Sequence, residues 1–183
     1  MRNIEETVQK IGGYPVLVRP SYVLSGAAMK VAWSDAELEE FLARAIDIAK
    51  DQPVVISKFE EDSREIEFDG VAKNGKILLS ALSEHIESAG VHSGDATLVI
   101  PPQRLPFDVM KMARETAAIM AKSLNITGPF NIQMLAKNHQ IKVIECNLRA
   151  SRSFPFVSKA LGVNFIREAT RLMLGENHLS VVP

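Results

Sequence analysis

An Asn-Gly pair, Asn74-Gly75, restricts the folds open to this chain more than any other feature. Asn-Gly is a preferred sequence for the two-residue type I′ turn, whose twist matches two antiparallel strands. Strand-like segments flank it, at residues 64–72 and 76–85. In the first, apolar residues alternate with Glu65, Glu67 and Asp69, which places the three carboxylates on one face. The pair therefore predicts an antiparallel hairpin and excludes a purely alternating β-α-β chain.

The other elements are predicted from apolar spacing, capping residues and helix-breaking residues. A first helix ends at Gly12-Gly13, and Ser34-Asp35-Ala36-Glu37 is a capping box that starts the second. The predicted strands lie at residues 14–20, 54–59, 96–100, 130–136 and 141–146, and the predicted helices at 34–50, 107–124, 155–161 and 164–174. This order predicts an α+β fold.

Composition excludes several classes of protein. The chain has 183 residues, 21 Lys+Arg against 22 Asp+Glu, and one cysteine. Bulk charge therefore does not indicate nucleic acid, Cys146 has no partner for an internal disulfide, and no apolar run is long enough for a membrane span. We expect a soluble, intracellular protein. Because the sequence opens with what resembles the tail of a helix, we also expect a fragment of a longer protein.

Four polar residues at the end of an apolar strand form the first candidate site. Glu145 and Asn147 point to the same face of that strand, and both offer the hard oxygen ligands that Mg²⁺ prefers. Arg149 and Arg152 follow, and guanidinium groups bind phosphate through paired hydrogen bonds. The alternative is an ordinary strand end with solvated charges.

Gln133, on the preceding strand, favours the metal site. Its amide lies between apolar neighbours, and a polar group in such a strand needs a partner. Gln133 lies an even number of positions before Glu145, so the two face each other only if the turn between them has an odd number of residues, for example Asn138-His139-Gln140. That register predicts one surface carrying Gln133, Glu145 and Asn147. A core glutamine bonded to backbone is the alternative.

Arg19 and the loop that follows its strand form a second candidate. Arg19 lies among apolar residues, so we expect its charge to need an anion. The small residues at 24–28 let backbone N–H groups approach a phosphate. A structural salt bridge at Arg19 and an ordinary hairpin loop are the alternatives.

Three longer segments together resemble a known family. Residues 19–29, 84–95 and 145–159 resemble the large subunit of carbamoyl phosphate synthetase, an ATP-grasp enzyme, and the match keeps its order and spacing from about Gly12 to Gly175. The segments at 84–95 and 154–159 resemble the C-terminal half of that subunit, which phosphorylates carbamate. The resemblance implies an α+β ATP-grasp fold without its preceding α/β subdomain, with a nucleotide lid at about 12–90 and a metal-bearing subdomain at about 91–175.

The family implies a function for the intact protein. This is the ATP-dependent phosphorylation of carbamate to carbamoyl phosphate with Mg²⁺ or Mn²⁺, which supplies pyrimidine or arginine and urea synthesis. Its implied partners are the rest of the synthetase and a glutaminase subunit or domain, with no nucleic acid and no membrane, and its implied location is the cytoplasm or the mitochondrion. We expect the isolated chain to be inactive. The alternatives are another ATP-grasp ligase, such as a biotin-dependent carboxylase or a purine-pathway enzyme, and a nucleotide-binding fragment without turnover.

The resemblance also implies roles for individual residues. Arg19 would bind a nucleotide phosphate, Lys58 and Glu60 would lie over the adenine, and Glu65 would bind the ribose hydroxyls. A loop beside the nucleotide would consist of Gly90, Val91, His92 and Ser93. The implied metal ligands are Gln133, Glu145 and Asn147, of which Gln133 and Glu145 would also contact the nucleotide. Arg149 and Arg152 would surround the transferred phosphoryl group. Glu60 departs from the family, which usually has an aliphatic residue there.

Overall fold

The computed structural model describes residues 2–21, 29–49, 53–89 and 95–176. The chain divides into two compact units, Met1–Glu61 and Asp62–Pro183. Within the described residues, no helix is both long and apolar enough to cross a membrane.

The first unit is a small antiparallel sheet with two helices. Its elements are α1 (Arg2–Lys10), β1 (Val16–Pro20), β2 (Lys30–Ala32), α2 (Asp35–Ala49) and β3 (Val54–Lys58), and the strand order is β2-β1-β3. Its core is the set Val8, Val16, Val18, Ala32, Leu38 and Ala45. Alternation along β1 buries every second side chain, which is the pattern of a sheet with one covered face.

The predicted helix boundaries of this unit are confirmed in their main features. Gly12 and Gly13, just after α1, have φ angles of 96° and 78°, a conformation that favours glycine. At the start of α2, the Glu37 N–H donates to Ser34 Oγ at 3.4 Å. The Glu37 carboxylate accepts from the Trp33 N–H at 2.7 Å instead of from Ser34, so the capping box closes one residue early.

The second unit is a five-stranded sheet with helices on both faces. Its elements are β4 (Arg64–Lys73), β5 (Lys76–Ser88), β6 (Leu98–Val99), α3 (Phe107–Ser123), β7 (Gly128–Lys137), β8 (Gln140–Asn147), α4 (Phe154–Leu161) and α5 (Phe165–Met173). The strand order is β6-β5-β4-β7-β8, and every pairing is antiparallel. Asn74 and Gly75 both have positive φ, 49° and 75°, as the predicted type I′ turn requires.

The two faces of this sheet are packed differently. On one face, side chains such as Ile66 and Ile132 pack against α3. On the other, Val71 and Ala81 pack against α4 and α5. Along β4 this second face changes from apolar to polar, because Val71 is followed toward the N-terminus by Asp69, Glu67 and Glu65. The α4–α5 pair therefore covers only one end of the face, and the polar side chains occupy the rest.

Gly70, in the middle of β4, makes room for an aromatic pair on the α3 face. It lies opposite Phe130 in the β4–β7 register. The rings of Phe68 and Phe130 are tilted by 31° with their centroids 5.8 Å apart, and both side chains are buried. A Cβ atom at Gly70 would lie 2.5 Å from two atoms of the Phe130 ring. The ring therefore occupies the space that any larger residue at position 70 would need.

The two compact units meet between Glu61 and Asp62, just before β4. Strands β4 and β5 form a continuous sheet with β7 and β8. Strands separated in sequence by α3 thus share one core, and the hairpin of β4 and β5 belongs to the second unit. The lid at about 12–90 and the metal-bearing subdomain at about 91–175, which the resemblance implies, stay predictions.

Candidate functional site

Gln133 and Glu145 face each other across β7 and β8, as predicted, but by a different route. The turn between the strands has two residues, Asn138 and His139, both with positive φ, and Lys137 pairs with Gln140. An odd-numbered turn was the wrong expectation. A bulge restores the register, because Met134 pairs with Val143 whereas Gln133 pairs with Glu145. The extra residue, Ile144, shifts everything beyond it by one position.

This register places three polar side chains on one face. Asn147 lies opposite Asn131, two positions along β7 from Gln133, and its Nδ2 donates to Glu145 Oε1 at 2.7 Å. Glu145 is exposed, while Gln133 and Asn147 are half-buried. Cys146 points the other way and packs against the α3-side core, and burial raises the pKa of its thiol. The surface predicted for Gln133, Glu145 and Asn147 therefore exists as one face of a hairpin.

The residues of this surface have the chemistry of ligands for a hard cation. They offer one carboxylate and two amide oxygens, and because the amide nitrogen of Asn147 donates to Glu145, its carbonyl oxygen is the atom left for a cation. Over the described ranges, no three His, Cys, Asp or Glu side chains are grouped to hold a metal. A metal here would therefore depend on the amides as well as on Glu145.

Arg149 and Arg152 follow β8 in the segment that leads to α4, and both side chains are exposed. Arg149 donates to the backbone carbonyl of Ala150 at 3.3 Å. The segment itself is anchored by Ser151 and Ser153, whose hydroxyls turn inward to Asp69. Two guanidinium groups are thus held at the surface immediately after the Glu145–Asn147 strand end.

Beside this surface, on the same face of the sheet, lies a buried polar cluster that sequence reasoning missed. It consists of Glu67, Asp69, Asn131, Ser151 and Ser153. Asn131 Nδ2 donates to Asp69 Oδ1 at 2.8 Å and to Glu67 Oε2 at 3.2 Å, and Ser151 Oγ donates to Asp69 Oδ1 at 2.7 Å. Asp69 is 1 % exposed. The signal in the sequence was the alternation of Glu65, Glu67 and Asp69, which predicted their shared face but not its burial.

Glu65 continues this face toward the start of β4 and lies beside a buried histidine. His85 Nε2 is 3.1 Å from Glu67 Oε1, and its Nδ1 is 3.9 Å from Glu65 Oε2. Burial acts to lower the pKa of His85, but the hydrogen bond to Glu67 and the negative charges of Glu65, Glu67 and Glu87 outweigh it, so the pKa is raised. Glu65 is 6 % exposed. The predicted ribose carboxylate is therefore largely buried, next to a histidine whose pKa is raised.

The other candidate residues of the first unit have more ordinary surroundings. Lys58, the last residue of β3, donates through Nζ to the carbonyls of Tyr14 at 2.7 Å and Gly13 at 3.2 Å. Glu60 follows in the loop and is half-buried. Arg19 is exposed, because alternation along β1 turns it away from the core. The apolar surroundings expected for its charge are therefore not found, and its contact with a nucleotide phosphate stays a prediction.

Two predicted loops lie outside the described residues. These are the loop with Gly90, Val91, His92 and Ser93, and the small-residue loop at 24–28. Their implied contacts with a nucleotide stay predictions.

Comparison with solved structures gives the fold. The biotin carboxylase domain of 2-oxoglutarate carboxylase from Hydrogenobacter thermophilus, solved with MgADP, ADP and bicarbonate, has a TM-score of 0.77 over 97 % of this chain and 40 % of its own. Its sequence identity is 18 %, so this likeness concerns the fold alone. The predicted α+β ATP-grasp fold is confirmed.

The sequence comparisons then give the family. Residues 2–180 match the family described as "Carbamoyl-phosphate synthase L chain, ATP binding domain", and the chain belongs to it. It is 60 % identical over 162 residues to the multifunctional protein pyr1-3 of Dictyostelium discoideum and 53 % identical over 164 residues to the human mitochondrial carbamoyl-phosphate synthase [ammonia]. These matches cover 88 % and 90 % of this chain but only 7 % and 11 % of the two relatives.

Proposed function

We propose that this chain is the part of a carbamoyl phosphate synthase that binds ATP and phosphorylates carbamate. An oxygen of carbamate attacks the γ-phosphoryl group of ATP, which gives carbamoyl phosphate and ADP. Membership of the synthase ATP-binding family supports this, as does the 53–60 % identity to a carbamoyl-phosphate synthase and a multifunctional relative. The biotin carboxylase likeness does not favour carboxylation, because at 18 % identity it concerns the fold alone.

The observation that carries the proposal is the pairing of Gln133 with Glu145, with Asn147 bonded beside them. We assign these three residues as ligands of Mg²⁺ or Mn²⁺. When bound, the metal neutralises phosphate charge and orients the transferred group. The fit is chemical: one carboxylate and two amide oxygens are hard ligands, and Mg²⁺ typically takes few protein carboxylates together with phosphate oxygens and water.

The neighbouring arginines supply the remaining positive charge. Arg149 and Arg152 are exposed just beyond the ligands, and we assign them to the oxygens of the transferred phosphoryl group. During transfer the charge is spread over these oxygens, and guanidinium groups already fixed there hold the phosphoryl group in line and stabilise that charge without reorganisation. Cys146 takes no part, because it faces the opposite core.

Nucleotide binding is assigned to the residues for which the family resemblance implies that role. Glu65 would accept the ribose hydroxyls, Lys58 and Glu60 would lie at the adenine, and Arg19 would bind phosphate. Because Lys58 Nζ already donates to the carbonyls of Gly13 and Tyr14, a contact with the adenine through its main chain is favoured over one through its ammonium group. The loop of Gly90, Val91, His92 and Ser93 completes the proposed nucleotide contacts.

The particular reaction and setting rest on the resemblance of residues 84–95 and 154–159 to the carbamate-phosphorylating half. We assign the chain to that half of a synthase that supplies pyrimidine or arginine and urea synthesis. Its partners would be the rest of the synthase and a glutaminase subunit or domain, in the cytoplasm or the mitochondrion.

The test is the Glu145→Gln variant of the intact synthase, assayed for carbamate-dependent ADP release. We expect turnover to fall at least about 100-fold, because the only carboxylate among the proposed ligands is lost. Glu65→Ala is expected to raise the KM for ATP more than it lowers kcat, since it removes binding present throughout the reaction. The matched control is Glu115→Gln, the same chemical change on the exposed face of α3, where Glu115 only faces Lys111 at 3.8 Å. Unchanged turnover in Glu145→Gln would refute the proposed function.

A further inference from the structure

The carboxylate of Asp69 holds the segment that carries the two arginines. Ser151 Oγ donates to its Oδ1 and Ser153 Oγ to its Oδ2, while Asn131 Nδ2 donates to Oδ1 from the neighbouring strand. Asp69 lies in β4, the central strand, more than eighty residues before the serines. A buried group in the middle of the sheet is therefore bonded to both sides of Arg152.

Ser153 shows that this bonding overrides a local preference. It is the N-cap residue of α4, a position where a serine hydroxyl normally accepts from the backbone of the first turn. Here the side chain makes no capping hydrogen bond and turns to Asp69 instead. The 5 % exposed Ser153 thus gives up a helix cap for a contact with the strand below.

The same contacts decide where Arg152 goes. Ser153 is buried, Ser151 is half-buried, and Arg152 between them is exposed. Because the two flanking hydroxyls are bonded inward, the intervening side chain projects outward, and Arg149 lies only two residues before Ser151. The direction of the guanidinium groups depends on the anchor.

A merely structural role explains the anchor poorly. Burial raises the pKa of Asp69, and the hydrogen bonds from Ser151, Ser153 and Asn131 oppose this rise. Val71, two residues along the same strand, packs against α4 and α5 with apolar contacts alone. Well-packed apolar residues often replace buried charged groups without loss of stability. The carboxylate of Asp69 is therefore explained better by a role in orienting the serine-bearing segment than by a contribution to the stability of the fold.

We propose that Asp69 is a positioning residue that acts through Ser151 and Ser153 to fix Arg149 and Arg152 for phosphoryl transfer. This rests on the proposed function. The carboxylate touches no substrate and moves no proton. It sets the direction of the guanidinium groups before ATP arrives, and the arginines need no reorganisation during transfer.

The experiment uses the paired variant Ser151→Ala/Ser153→Ala, with Ser158→Ala as the matched control. Ser158 lies on α4, and its hydroxyl accepts from the Phe165 N–H without contacting Asp69. In the full 183-residue chain, hydrogen exchange is followed at the amides of Phe154 and Val157, which donate to Ser151 O and Ser153 O. We expect exchange there to rise at least tenfold in the paired variant, with α3 amides unchanged, and no rise in the control.

In the intact synthase, the paired variant is expected to lower kcat roughly 10- to 100-fold, in line with the cost of misplacing a catalytic group by about 1 Å, with the KM for ATP within about twofold. The conservative variant Asp69→Asn should keep the segment in place, with kcat within about fivefold of that of the parent enzyme, because the amide can still accept from Ser151 and donate to Ser153. Ser151→Ala alone, which perturbs folding least, should give a smaller loss of kcat at the same KM.

Two results would overturn the proposal. One is unchanged exchange at Phe154 and Val157 in the paired variant, since the serines would then not hold the segment. The other is unchanged kcat despite faster exchange, since the segment would then not need holding. If the Glu145→Gln variant also retains full turnover, the proposed function has failed. If the serine variants retain full turnover while Glu145→Gln loses it, only the positioning role has failed.

Discussion

Replacing Gly70 with alanine tests the packing of the sheet that carries the candidate site. The added Cβ would lie 2.5 Å from Cε1 and Cζ of Phe130 and 3.0 Å from Cε1 of Phe68. Carbon atoms in ordinary contact are about 3.5–4.0 Å apart, so the Phe130 ring must move by roughly 1 Å. Both rings are buried between the sheet and α3, where there is little free volume.

The expected loss of stability follows from two opposing effects. Forcing an extra methyl group into a packed core costs about 1–3 kcal/mol. Glycine in a strand is itself unfavourable by roughly 0.5–1 kcal/mol relative to alanine, which offsets part of that cost. The net cost is the difference between the two effects, roughly 0–2.5 kcal/mol. Because the Cβ would lie only 2.5 Å from the Phe130 ring, we expect Gly70→Ala to lower the free energy of unfolding of the second unit by about 2 kcal/mol, near the top of that net range. With a urea m-value of about 2 kcal/mol/M, the midpoint falls by about 1 M.

The assay is urea unfolding followed by far-ultraviolet circular dichroism and by hydrogen exchange of β4 and β7 amides. The chain has a single tryptophan, Trp33, which lies in the first unit and does not report on this one. Gly162→Ala is the matched control, because its Cβ meets no atom within 4 Å and only its φ of +69° carries a cost.

A double variant isolates the ring contact. Phe130→Leu removes the atoms that the Cβ would meet, so Gly70→Ala/Phe130→Leu should cost less than the sum of the two single changes. Strict additivity, or a Gly70→Ala variant that is as stable as the parent chain, would refute the packing argument.

Two predictions concern pH. Glu67 and the neighbouring acidic residues raise the pKa of His85. The stability that protonated His85 contributes is therefore fully present below about pH 6.5, the usual pKa of an unfolded-state histidine, and is lost as the pH rises through the folded-state pKa. Nuclear magnetic resonance should show a lower pKa for His85 in the Glu67→Gln variant, and an unchanged pKa would contradict the assignment. The hydrogen bond from His139, at 2.6 Å, lowers the pKa of the exposed Asp108, so His139→Ala should raise that carboxyl pKa in a carbon-detected titration, whereas Lys111→Ala nearby on α3 should raise it less.

Local signals predicted most of the secondary structure. The Asn74-Gly75 turn, the glycines after α1 and the capping region of α2 are local features, and the structure has each where it was expected. Their reliability has a physical reason, because positive φ and orphan backbone donors restrict which residues can stand there.

The sequence was less informative where the answer depends on distant residues. The bulge at Ile144 has no local signature, and without it the pairing of Gln133 with Glu145 could be expected only through a wrong turn length. The burial of Glu67 and Asp69 was also hidden, because alternation tells which residues share a face but not what covers it. Ser151 and Ser153, which bond to Asp69, follow some eighty residues later.

The β7–β8 bulge has a consequence for how this hairpin can change during evolution. One residue added between the turn and the bulge, with the two-residue turn and the bulge both retained, would carry Glu145 to the α3 side of the sheet and bring Cys146 to the polar side. A residue added to the turn itself would leave this pairing unchanged, because the longer loop takes it up. Length can therefore vary in the turn, whereas an insertion in the first part of β8 needs the loss of the bulge to return Glu145 to its face.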